Sequence, residues 1–250
     1  MTLPREGWPQ YRADLAASLR AWATYPLIPA VSAVFALLTL LPPPWTWLTL
    51  PVGIFAIGWP GTERMLYLRA FRGLPLLRSE LVSFTRAFIG RFFVLGLVAT
   101  IAMSGIGWVY AATEDPGVRL LAVAIGVLAL DVFLTFATPA LAYTTRRVSI
   151  AVRIGHRTLV EGWPHSAWYA LVPPLATLVV LRLLPESVVS LRGRLALTGA
   201  GALLNLWFKG AVAAYYLRRH PAGDDGAAHA SVWEMLDPRT GEPFRPEAEA

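Results

Sequence analysis

The sequence predicts an all-α protein: a polytopic membrane helix bundle of about six transmembrane helices with two basic amphipathic interfacial helices. Three observations carry this. Of 250 residues, 56% are hydrophobic and only 15% charged, where a soluble chain carries about 25%. The charges are segregated, with none in residues 21–62 or 92–113. Asp131 is the sole charge between Arg119 and Arg146, and Lys209 the sole charge between Arg194 and Arg218. Apolar runs of about 18 residues or more read as transmembrane helices.

The spans follow in order. The first is expected at 22–41 and the second at 45–59; they share one charge-free run, so Pro42, Pro43 and Pro44 must form the turn. Proline lacks the backbone donor a helix needs to continue. A re-entrant hairpin over 21–62 is the alternative. The remaining four are expected at 92–111, 120–143, 166–184 and 196–217. At 1.5 Å per residue, about 20 residues cross a hydrocarbon core of about 30 Å. Residues 1–21 then form a cytoplasmic arm, 22–217 the membrane domain, and 218–250 a cytoplasmic tail whose proline, glycine and acidic content predicts disorder. Residues 1–20 carry Arg5, Glu6, Arg12, Asp14 and Arg20, which does not read as a cleavable signal.

Basic residues set the orientation. The arm, the 60–91 and 144–165 connections and the tail hold 17 arginines, against 4 on the opposite side. Positive residues favour the cytoplasmic face, so both termini are expected inside, in a bacterial cytoplasmic (inner) membrane. The net charge of +6 is thus a topology signal and implies no nucleic acid. With no cysteine, thiolate metal sites, Fe–S clusters and cysteine nucleophiles are excluded.

Both long cytoplasmic connections carry amphipathic stripes. Leu77, Leu81, Phe84 and Phe88 recur at helical spacing with Arg78 and Arg86 off the stripe; Val148, Val152 and Leu159 do so beside Arg153 and Arg157. Such helices lie in the headgroup plane with arginine against lipid phosphate. The bilayer, through anionic headgroups, is therefore the expected partner, with a membrane or cytoplasmic protein as another.

Few residues carry chemistry. Asp131 and Lys209 lie deep inside spans at similar expected depth, with Thr135 and Thr138 near the first and Asn205 one turn before the second. Intramembrane charges pair or line a wet cavity, so an ion pair between them is expected, structural in one reading and a proton or ion relay in another; the alternative to pairing is a Lys209 that snorkels alone to the cytoplasmic interface. Pro173 and Pro174 fall inside the fifth span, where a helix break would free backbone carbonyls of the kind transporters use. Gly96, Thr100 and Ser104 repeat every fourth residue, as in small-residue helix contacts. His156 and His165 are nine apart with Pro164 between, unlike the i, i+4 spacing of zinc ligands, so no metal or cofactor is implied. Neither a Ser/His/Asp set nor a phosphate-binding Gly-Lys-Ser/Thr loop is present.

The run Gly61-Thr-Glu-Arg-Met-Leu-Tyr-Leu-Arg-Ala-Phe-Arg-Gly73, the Pro139-Ala-Leu-Ala-Tyr143 exit, Ala151-Val-Arg-Ile-Gly155 and Glu161-Gly-Trp163 together resemble a loose group of bacterial six-helix membrane proteins of unknown function. That group includes the membrane domain attached to some glycerophosphodiester phosphodiesterases. The resemblance implies a membrane module, and the soluble catalytic domain of the enzyme members has no counterpart here. The sequence therefore points to a non-enzymatic scaffold or accessory subunit. The alternative is a small transporter or exporter component with a polar path near Asp131 and Lys209.

Overall fold

The computed structural model describes residues 7–38, 49–75, 78–183 and 191–220. Among them the secondary structure is entirely helical: α1 (Trp8–Thr24), α2 (Leu27–Leu38), α3 (Thr49–Arg72), α4 (Arg78–Ala112), α5 (Pro116–Leu134), α6 (Ala137–Tyr143), α7 (Val148–Glu161), α8 (His165–Leu183) and α9 (Leu191–Arg219). The expected proline turn at 42–44 and the tail from 221 lie outside the described residues. Among the described residues, two segments, Leu81–Ala112 and Pro116–Tyr143, are long and apolar enough to cross a membrane, and α1–α2 makes a third if that bent pair is one span.

The first expected span is not one helix. The chain turns by 91° between α1 and α2, because Pro26 forces Tyr25 out of helical geometry (φ −129°, ψ 81°). α1 buries Tyr11, Asp14, Ser18 and Ala21, one face at helical spacing. The second expected span runs on well past Trp59, through Glu63 and Arg64 to Arg72. It stops at Gly73, the described glycine with positive φ (65°). Gly73 N donates to the Ala70 carbonyl and Leu74 N to the Arg69 carbonyl, the paired bonds of a glycine-terminated helix end.

α4 is a single helix of 35 residues, about 52 Å at the standard rise. The stripe expected to lie in the headgroup plane instead packs inward: Phe84 and Phe88 are buried and Leu81 packs beside them. Gly58 and Gly61 on α3 permit this approach. A Cβ on Gly58 would lie 2.4 Å from the Thr85 carbonyl oxygen, and one on Gly61 2.2 Å from Phe88 Cγ. Thr62 and Thr85 hydroxyls bond at 2.8 Å across the same seam. Beyond Phe92, α4 turns large apolar side chains outward, among them Ile101 and the 80%-exposed Trp108. The small-residue stripe Gly96, Thr100 and Ser104 is exposed too, and α4 meets α5 instead where Ile106 covers Gly126.

Asp115 caps α5 by accepting from Gly117 N and Val118 N at 2.7 and 2.9 Å. The expected fourth span falls within one segment, Pro116–Tyr143, whose helix is interrupted only locally between α5 and α6 at Thr135–Phe136, where Pro139 would crowd the carbonyl four residues earlier. α7 is a separate helix with Ala151, Gly155 and Thr158 buried and Arg153 and Arg157 exposed. Gly155 meets the Ala137 backbone at 2.5 Å from its hypothetical Cβ.

Tyr67 of α3 joins three helices. Its hydroxyl accepts from Trp22 Nε1 at 2.7 Å and donates to the Leu206 carbonyl at 3.0 Å. Beside it, a Cβ on Gly210 would fall 2.0 Å from Ser18 Oγ, so the α9 backbone lies directly against the Ser18 side chain of α1.

Candidate functional site

Five helices, α3, α5, α6, α8 and α9, converge on one cavity of about 190 Å³. α5 supplies Asp131, and Thr135 lies one turn on, its hydroxyl turned back to the Asp131 carbonyl at 2.6 Å. Thr138 follows in α6, α8 supplies Pro173 and Pro174, and α9 supplies Asn205 and Lys209. Seven residues singled out in the sequence thus line a single space. Asp131 and Lys209 face it without a direct ion pair between them, unlike Arg157–Glu161 and Arg218–Asp14. The cavity, rather than a direct bond, connects the two charges.

A further lining residue is Arg64, which sequence reasoning assigned to a cytoplasmic connection. It is only 3% exposed. Its Nη2 donates to Thr138 Oγ1 at 3.1 Å and its Nη1 to the Lys209 carbonyl. Tyr143 secures the backbone beneath by donating to the Arg64 carbonyl at 2.6 Å. A guanidinium has five donors, so two bonds fix its plane and leave others for a ligand. The signal for Arg64 was present: Met65, Leu66 and Leu68 continue the apolar helix beyond it, and all three are buried.

Pro173 and Pro174 do not break α8, which continues to Leu183. They still remove two helical donors, so the carbonyls of Tyr169 and Ala170 lose their usual partners four residues on.

With Arg64 and Lys209 against Asp131, the cavity lining carries a formal surplus of one positive charge. It has donors for an anionic group and, in Asp131, Asn205 and the threonines, acceptors for a hydroxyl or amine. A cavity of about 150 Å³ holds benzene, so this one fits a solute of small-acid size.

The predicted lipid-facing arginines lie elsewhere. Arg86, Arg153 and Arg157 are exposed, with Arg157 Nε 2.6 Å from Glu161 Oε1; the Arg78 side chain lies outside the described residues.

Sequence reasoning also missed the cluster around Asp14, which is buried. Its carboxylate accepts from Tyr169 at 2.6 Å, Arg218 Nη2 at 2.7 Å and Gln10 at 3.2 Å. Arg218 is held above its ordinary pKa: burial pulls it down, and the interactions with Asp14 and Tyr169 together outweigh burial. No family model, curated protein or solved structure matches this chain.

Proposed function

We propose that this protein is a multi-pass protein of a bacterial cytoplasmic membrane, with about six spans and both termini inside. In this reading it binds and passes a small carboxylate-bearing solute. The observation that carries the reading is the cavity that gathers Arg64, Asp131, Asn205 and Lys209 beside the paired prolines of α8. Charges within spans are costly, at least about 2.5–3.5 kcal/mol each on insertion scales, and mark ion or substrate pathways. The carboxylate sits between Arg64 and Lys209, and Asp131 and Asn205 receive a hydroxyl or amine at its other end. The arginine-rich connections set the orientation, and Arg153 and Arg157 of α7 rest against anionic headgroups.

The scaffold reading is the second. It is favoured by the outward apolar face of α4, where Phe93, Ile101 and Trp108 stand exposed, a surface that fits lipid or a partner helix.

Counterflow of labelled lactate and labelled alanine in proteoliposomes tests the transport reading. Uptake above protein-free vesicles that falls in Arg64→Gln and Lys209→Met supports it. Flux no greater than in empty vesicles for both probes, together with a stoichiometric protein partner on gentle extraction, replaces it with the scaffold.

A further inference from the structure

A second cavity, about 520 Å³, lies on the other side of Arg64, Thr138, Leu134 and Lys209. Its character differs. Its walls are apolar, formed by Ile57, Phe92, Phe93, Leu95 and Ala99 among others, and its charged residues are Glu63, Arg64 and Lys209. Phe93 and Leu97 on its rim are exposed, so the cavity opens along the apolar face of α4.

Glu63 distinguishes it. The residue is 2% exposed, and its Oε1 is buried with no hydrogen-bond partner. An unmatched buried acceptor is costly, and the cavity beside it is where a donor would come from. Close by, Arg64 and Lys209 suit a phosphate, the arginine through its planar fork. The apolar wall then runs from Phe92 to Thr100, about 12 Å of helix.

We propose that this cavity holds a phospholipid with a primary-ammonium headgroup, phosphatidylethanolamine in chemistry. Its ammonium donates to Glu63, its phosphate lies against Arg64 and Lys209, and its acyl chains run along the α4 wall. A phosphocholine head carries no N–H and cannot satisfy Glu63; a phosphoglycerol head carries no positive charge to meet it. The chain direction agrees with a lipid of the cytoplasmic leaflet. Glu63 and Arg64 lie toward the end of α3 at Arg72, and the apolar wall leads away from that end.

The inference rests on the membrane embedding proposed above and not on the identity of the solute. It is tested on the full chain, purified in mild detergent and mixed with equimolar phosphatidylethanolamine, phosphatidylcholine and phosphatidylglycerol of matched acyl chains. Bound lipid is read by native mass spectrometry. The ethanolamine adduct should exceed the choline adduct about tenfold, as one charge-assisted hydrogen bond gained against none implies. Glu63→Leu should remove that preference. Ala99→Phe, which fills the groove away from the charges, should lower all three adducts without changing their ratio. Asp131→Asn, in the other cavity, should leave the preference intact. Equal retention of ethanolamine and choline lipids by the unaltered protein, or preference for phosphatidylglycerol, overturns the proposal whatever the variants do. Alkaline carbonate extraction separates the two failures. A chain released from the membrane defeats the embedding itself; one retained without headgroup preference defeats only this inference.

Discussion

Arg218 grips both oxygens of Asp14, one guanidinium nitrogen to each, with Nη2 2.7 Å from Oδ2. The two residues stand 204 apart in sequence, so this fork ties the start of the described chain to its last helix. Tyr169 shares the same carboxylate, which brings α8 into the joint. Asp14→Ala should therefore destabilise the protein by about 3 kcal/mol, the lower end for breaking a buried pair, because the Arg218 side chain stays 36% exposed. Thermal unfolding in detergent measures it. A loss as small as that of an exposed ion pair would show the fork to be incidental.

Asp131 and Lys209 give a different expectation, since they share a cavity without touching. Asp131→Asn and Lys209→Met should each lower stability, and the double change should recover part of the loss. Residues joined through one cavity couple by about 0.5–3 kcal/mol. Strict additivity in the same unfolding assay would show that the cavity screens one charge from the other.

Glycines on two surfaces should respond with opposite signs. Gly58→Ala pushes a methyl against the Thr85 backbone oxygen, and overpacking of this kind costs about 1–3 kcal/mol. Gly105 has open space around its missing side chain, so Gly105→Ala gains helix propensity of up to about 1 kcal/mol. Melting temperatures should move down for the first and up for the second. Equal shifts would mean that α3 and α4 are not packed along this seam.

Orientation is open to direct measurement. Reporters joined after residue 217 or within 73–80 should be active as cytoplasmic fusions, and reporters within 112–118 as external ones. A fusion after 217 that reads as external contradicts the six-span, both-ends-inside reading.

The cavity residues were legible because a lone charge in an apolar run is conspicuous. Asp131, Lys209 and the threonines near Asp131 were found that way, and the fold brings them to one space. Arg64 was not, because the adjacent pair Glu63–Arg64 ends a charge-free window and so reads as the start of a loop. Only tertiary packing shows that α3 keeps both residues buried. Asp14 was hidden for a similar reason. A carboxylate among the arginines of a polar arm looks solvated, although Tyr11, Asp14, Ser18 and Ala21 already mark one buried face. The bend at Tyr25–Pro26 was signalled by the proline itself, yet the apolar run across it suggested a continuous span.

Arg64 lines both cavities, so the solute and the lipid proposed above would draw on one side chain. Its guanidinium is already committed to Thr138 and the Lys209 carbonyl, and the donors left over can face only one occupant fully. A lipid drawing on them from one side weakens the hold on a solute from the other, and reciprocity requires the solute to loosen the lipid by the same factor. Bilayer composition would then act as an effector of this protein, with a change of headgroup shifting the solute affinity although no residue has changed.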